Sequence, residues 1–219
     1  MKIVALIPIK LGSKRVPGKN IKPFFDGTPL IHFIQKTCLQ SKLIDEVYVF
    51  CSDESIQKYL LDGVKFLKRP SFLDGDDKNA NDIIREFIKK VDADIYVNVH
   101  TTSPFAKPET IDDCIEKVLN NKYDSAFCAE AIRTFMWSDG KPLNFDPDCF
   151  PRTQDLPLIY GETSIAYVFS KNTFDRFNRR VGSNPYIREV DKIEAMDIDY
   201  PEDFDICNAI YKEMKNCGD

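Results

Sequence analysis

Seven consecutive apolar residues, Ile3–Ile9 (IVALIPI), run directly into the basic, glycine-containing segment Lys10–Asn20 (KLGSKRVPGKN), and this pair constrains the fold most. An apolar run without alternation predicts a strand buried on both faces, as in a mostly parallel sheet covered by helices. The rest of the chain keeps the rhythm. Pro29–Ser41 carries apolar residues at helical spacing behind a proline at its first turn, Glu46–Ser52 reads as a strand, and Glu54–Leu61 as a helix. Asn81–Val91 is an amphipathic helix, Asp94–His100 a strand and Pro108–Asn120 a helix, with Ile111, Ile115, Val118 and Leu119 on one stripe. Ser125–Ala129 and Ile165–Ser170 read as strands, and Pro201–Met214 as a closing helix.

Strand–helix alternation of this kind predicts an α/β, Rossmann-like fold, a mostly parallel central sheet with helices on both faces. With 219 residues, 43% of them apolar, the reading is one domain spanning 1–219. Ile132–Tyr160 interrupts the rhythm with four prolines and the aromatics Phe135, Trp137, Phe145 and Phe150, and is read as a protruding arm that acts as a lid or a dimer contact.

Charge narrows the ligand. The net charge of −5 argues against nucleic acid or an anionic membrane, yet Met1–Pro23 holds six cations and no acid. A local cationic segment in an acidic protein points to a small anion. Seven cysteines without a CxxC pair read as reduced thiols of a cytoplasmic protein, and no run approaches the length of a membrane span.

In a parallel sheet the ligand lies beyond the carboxyl ends of the strands. The first such loop carries a serine, Ser13, and offers Gly12 and Gly18 for close backbone approach to a phosphate, and Lys14, Arg15 and Lys19 to neutralise it. It is not GxxxxGK[ST], because five residues separate its glycines and Asn20 follows Lys19. The alternative reading is a solvated basic turn. No GxGxxG is present, which counts against a dehydrogenase, and no GxSxG or nucleophile–histidine pairing supports a covalent hydrolase. Asp197 and Asp199, two residues apart, share a face if the segment is extended, and two carboxylates plus substrate phosphates suit Mg²⁺; the competing reading is a pair of surface acids. His100, Thr102 and Ser103 stand at the same rim, where they could hydrogen-bond a ligand or cap the next helix. Arg69 and Arg152 are loop guanidiniums that either grip an anion or pair with a neighbouring acid.

Taken together, IPIKLGSKRVPGKN, KRP (Lys68–Pro70), HTTSPF (His100–Phe105), PRTQDLP (Pro151–Pro157) and AMDIDYPEDF (Ala195–Phe204) resemble the acylneuraminate cytidylyltransferases. That family comprises the CMP-sialic, CMP-legionaminic and CMP-pseudaminic acid synthetases, with the CMP-Kdo synthetases as relatives. The resemblance implies transfer of a cytidylyl group from CTP to a 2-keto-3-deoxy sugar acid by a Mg²⁺-dependent homodimer. It implies that Lys14 and Lys19 hold the triphosphate, and that Lys10, Gly12 and Ser13 belong to the same loop. Asn20, Arg69 and the backbone near Ala80 would face cytosine and ribose, Asp197 and Asp199 the metal, and Ile132–Tyr160 would form the dimer arm. His100, Thr102, Ser103, Arg152, Gln154, Glu162, Thr163 and Tyr167 would line the acceptor site.

The chain departs from the family pattern at three places. Lys10 stands where an arginine is usual, and His100 where a QPTSP motif has glutamine. In Gly161-Glu162-Thr163-Ser164-Ile165-Ala166-Tyr167 the R-x-N-G-A-x-Y pattern has lost its arginine at Gly161 and its asparagine at Thr163, while Glu162 adds an acid. Loss of a carboxylate-binding cation there predicts weaker binding of a nine-carbon keto acid by about 1 kcal/mol or more. The alternatives are therefore a different hydroxy or phosphorylated acid as acceptor, or a non-catalytic nucleotide-binding protein.

Overall fold

The computed structural model describes residues 1–13 and 15–217. Along the chain run β1 (Ile3–Ile9), α1 (Ile31–Gln40), β2 (Glu46–Cys51), β3 (Val64–Lys68), α2 (Ala80–Ile88), β4 (Ile95–Val99), α3 (Pro108–Leu119) and β5 (Ser125–Ile132). A hairpin of β6 (Trp137–Ser138) and β7 (Lys141–Pro142) follows, then β8 (Ile159–Ser170), α4 (Lys171–Phe177), β9 (Pro185–Val190) and α5 (Pro201–Asn216). Seven strands form one sheet in the order β3-β2-β1-β4-β8-β5-β9, parallel except for β8, which is antiparallel to both neighbours. The predicted Rossmann-like α/β class is the observed one.

The uniform apolarity of β1 has a direct structural cause. Ile3, Ala5, Ile7 and Ile9 pack under α1 and α3, whereas Val4 and Leu6 point the other way, into the layer built by Ile84 and Phe87 of α2 and Phe174 of α4. A strand that serves two cores has no polar face to show. A third cluster, Phe24, Leu30, Phe105, Ile198, Phe204 and Cys207, ties α5 to the loops beyond β1 and β4. That contact carries the acidic segment at 197–199 to the carboxyl edge of the sheet.

Several elements differ from the sequence reading. Glu54–Leu61 is a 3-10 turn over Glu54–Tyr59, started by Asp53, whose side chain accepts the Ser55 N–H at 2.9 Å. β3, β9 and α4 were not expected. The irregular stretch Ile132–Tyr160 is shorter than predicted, because β5 runs on to Ile132 and β8 begins at Ile159, with Ile132 paired to Ile159. This β5–β8 ribbon therefore continues past the end of β4 and roots the arm. At its base the ladder slips between Phe127 and Ala129, and the Thr163 hydroxyl, 3.0 Å away, donates to the carbonyl of the skipped Cys128.

Candidate active site

Lys19 is brought beneath the sheet edge by the turn before it. Val16 is buried and anchors the loop, Gly18 takes a positive φ of 66° that a side chain would oppose, and a 3-10 turn over Lys19–Ile21 follows. Asn20 then joins the loop to the end of β4, its Nδ2 donating to the Lys10 carbonyl at 3.0 Å while its Oδ1 accepts the Thr101 hydroxyl at 2.5 Å. These bonds close the switch point between β1 and β4, where connections leave the sheet in opposite directions and a crevice must form.

The flank on the β2–β3 side holds the other expected nucleotide residues. Arg69 is 2% exposed and ion-paired to Asp74, with its Nε buried and unpartnered. Lys10 reaches the same segment, donating to the Asp74 carbonyl at 2.5 Å. Ala80 is the first residue of α2, behind a capping box in which Asn79 and Asp82 satisfy each other's backbone N–H groups. Ser13 Oγ accepts the Val16 N–H at 3.3 Å, and Gly12 faces open space with no neighbour within 4 Å of an added Cβ. Lys14 lies outside the described residues.

The acidic segment meets this loop from above. Ile198 is fully buried, its N–H donating to the Thr102 carbonyl at 2.9 Å and its own carbonyl accepting Lys19 Nζ at 2.5 Å. Asp199 lies 3.6 Å from the same ammonium and is held in a fork by Arg15 at 2.8 and 3.1 Å. Asp197 differs, because its Oδ1 is buried and has no hydrogen-bond partner. Burial pushes its carboxyl above the ordinary range, with Asp199 adding to the shift and Thr102, Ser164 and Lys19 opposing it. Burial likewise draws the Lys19 ammonium down, against the pull of Asp199 and Asp197. An unpartnered buried carboxylate oxygen beside a half-desolvated ammonium is costly unless a cation and an anion arrive together.

That donor set fits Mg²⁺. Among the described residues no group of three or more His, Cys, Asp or Glu could hold a metal alone. Mg²⁺, however, commonly takes one or two protein carboxylates and draws its other ligands from phosphates and water. Asp197 supplies the orphaned oxygen and Asp199 a second carboxylate once Arg15 lets go.

On the far side of β4 lies a second polar cluster. The His100 imidazole is pushed down to about 4 by burial and by the charges of Arg180 and Lys19, so it is neutral at pH 7. Tyr167, whose phenol is pushed up to about 12, chiefly by burial, donates to Glu162 Oε2 at 2.8 Å. Arg180 lies over the Tyr167 ring at 3.4 Å from its centroid and donates to Asn98 Oδ1 at 3.2 Å. Sequence reading missed Arg180, which sits in FNRRVGSNPY (Phe177–Tyr186) without any motif around it. Ser103 Oγ is buried and unpartnered near the same rim. Of the expected acceptor residues, the arm pair stands apart: Arg152 is exposed and bonded to Asp155 at 2.7 Å, and the exposed Gln154 gives its carbonyl to Arg133.

A mostly parallel sheet with a basic loop after its first strand and two carboxylates at its switch point is the framework of a Rossmann-like nucleotidyltransferase. The fold agrees with solved structures: a CMP:2-keto-3-deoxy-manno-octonic acid synthetase complexed with CTP superposes with a TM-score of 0.74 at 19% identity, covering 98% of this chain and all of that one. A 4-diphosphocytidyl-2C-methyl-D-erythritol synthase from Anaerococcus prevotii gives 0.66 at 15% identity, covering 96% of each. The Cytidylyltransferase family profile matches residues 4–215, and the chain belongs to that family.

Among curated relatives, N-acylneuraminate cytidylyltransferase A of Danio rerio is 30% identical over 212 residues, covering 91% of this chain and 49% of its own length. A Helicobacter pylori protein, pseudaminic acid cytidylyltransferase and UDP-2,4-diacetamido-2,4,6-trideoxy-beta-L-altropyranose hydrolase, is 25% identical, covering 95% of this chain and 42% of its own. The chain thus spans about half the length of these relatives, and the likeness to acylneuraminate cytidylyltransferases expected from its motifs is found along nearly all of it.

Proposed function

We propose that this protein transfers the cytidylyl group of CTP to a hydroxyl of a 2-keto-3-deoxy sugar acid, sialic-acid-like or Kdo-like, forming a CMP-sugar and releasing pyrophosphate. The observation that carries this reading is the buried Lys19 ammonium beside the unpartnered Asp197 oxygen at the β1–β4 switch point. In the reaction the acceptor oxygen bonds to the α-phosphorus and the bond to the β-phosphate oxygen breaks. Little covalent chemistry is asked of the protein, which must neutralise charge and hold the reactants in line.

Lys19 is poised for that work because it is partly desolvated, so its charge acts in a medium of low polarisability. Arg15, 53% exposed at its side chain, is paired with Asp199 and would turn to a phosphate when one binds. Asn20, Arg69 and the start of α2 would receive cytosine and ribose on the β2–β3 side. Mg²⁺ held by Asp197 and Asp199 would supply charge for the phosphates and acidify the attacking hydroxyl. The arm, with Trp137 and Phe150 at 60% and 66% exposure, suits pairing with a second copy, and we place the homodimer in the cytoplasm.

Pyrophosphate release with CTP and Mg²⁺, across sialic, legionaminic, pseudaminic and Kdo acids, tests the assignment. A CMP-sugar of matching mass from one of these acids is expected; no pyrophosphate with any of them overturns it. A second acceptor class, a smaller hydroxy or phosphorylated acid, is favoured by the absence of a cation at Gly161, and product masses from such acids decide between the two.

A further inference from the structure

Resting on that reading of the reaction, we infer that Arg180 is the residue that receives the acceptor's anionic group, in place of the arginine that Gly161 lacks. Asn98 of β4 and Tyr167 of β8 are direct cross-strand partners, and Arg180 bridges them, donating to the first at 3.2 Å and holding its Cζ 3.4 Å from the ring centroid of the second. With Cζ over the ring and Nη1 bonded to Asn98, the guanidinium still has Nε and Nη2 to offer an anion.

Arg180 forms no ion pair among the described residues. Its neighbour His100, 3.5 Å from Nη1, is neutral and brings no negative charge. Glu162 acts on it from a distance while bonded to the Tyr167 hydroxyl. Burial weakens the guanidinium's hold on its proton, with Tyr167 and Glu162 opposing the shift. Its donors without a protein partner are not sealed from solvent, so an incoming oxygen can reach them.

Position separates this cation from the nucleotide. Arg69 and Lys10 lie towards β2 and β3, Lys19 and Asp197 at the β1–β4 switch point, and Arg180 with Tyr167 towards β8 and β5. His100 lies 3.5 Å from Arg180, and the charges of both Arg180 and Lys19 help to hold its imidazole down. The acceptor and the cytidine would thus be held on different flanks, leaving the acceptor oxygen to attack the α-phosphorus opposite the departing pyrophosphate, as in-line transfer requires. The segment is also firmly set: the Arg180 N–H donates to Asn81 Oδ1 at 3.3 Å, and Asp124 Oδ2 accepts the N–H groups of Ser183 and Asn184 at 2.7 and 2.9 Å. At Gly161 an added Cβ would meet the Ile132 Cδ1 at 3.0 Å, so a larger residue there needs that side chain to shift.

The same N–H fork would take a carboxylate of the acceptor or a phosphate of CTP, and the test separates them. The best acid of the panel and its carboxamide are compared in the wild type, Arg180→Met and Arg180→Lys, with KM for CTP recorded throughout. The wild type is expected to lose about 10- to 100-fold in kcat/KM on going from acid to carboxamide, the scale of a charged hydrogen bond. In Arg180→Met that penalty should shrink to about threefold or less, with KM for CTP within about twofold of wild type, as expected when only one partner of a pair is removed at a time. Arg180→Lys keeps charge without the fork and should fall between them; if Arg180→Met does not fold, a penalty below that of the wild type in Arg180→Lys carries the same conclusion. An undiminished penalty in the variants, or a rise in KM for CTP equal to that for the acid, overturns the assignment of Arg180. Absence of turnover by the wild type with every acid instead overturns the functional reading, and the assignment falls with it.

Discussion

At the scale of single residues, burial works against the charged forms of Lys19, Asp197 and His100. Asp197 keeps an oxygen buried with no partner, a cost the fold carries in the absence of a cation. Asp197→Asn should therefore lower kcat by about 100-fold or more while leaving the melting temperature unchanged or raised, as checked by steady-state kinetics and calorimetry. His100 gives a pH signature. Burial holds its imidazole down to about 4, below the usual 6.5, so between those limits the unfolded chain binds more protons and stability falls as pH falls. His100→Gln removes that slope, and the gap in melting temperature between variant and wild type should shift in favour of the variant as pH drops from 6.5 to 4. Parallel melting curves across that range would show that the imidazole is charged in the fold.

Among the elements, the connection between α4 and β9 has the most specific support. Asp124, just before β5, accepts from Ser183 N, Ser183 Oγ and Asn184 N, while Ser125 Oγ receives the Gly182 N–H at 2.8 Å. Asp124→Ala leaves these donors without their acceptor and is expected to cost about 1–3 kcal/mol in denaturant unfolding. It should also raise KM for the acceptor more than KM for CTP, because the loosened turn carries Arg180. The element-level reading of the sequence erred in a patterned way. β3 and β9, both missed, are the two edges of the sheet, and their residues are mostly half-buried, so neither shows the dense apolar run that marked β1 and β4. α4 has seven residues, too few for a helical period to declare itself.

For the whole molecule, the two-sided core and the site answer to different forces. Phe87 is fully buried and stacks edge-on to Tyr48, Phe50 and Tyr96, in a layer made without any metal ligand. Chelation of divalent ions should accordingly abolish pyrophosphate release and leave the melting temperature within about 1 °C, since binding of an ion at the site stabilises only by mass action. A collapse of the fold on chelation would mean that the metal is structural.

The sequence alone determined the α/β class, the buried first strand, the basic loop after it and the pair Asp197 and Asp199, because each is written in residues close together in the chain. It also shows glycine at 161, where the family pattern it resembles carries an arginine. Tertiary structure decided what the chain order does not encode: that β8 enters the sheet antiparallel between β4 and β5, that Thr163 is spent on a β-bulge, and that Arg180 comes to rest on Tyr167 beside His100. Hydrophobic periodicity is a local signal and reads elements one at a time. The juxtaposition of residues 98, 167 and 180 depends on strand order and register, which are set by packing between segments far apart in sequence.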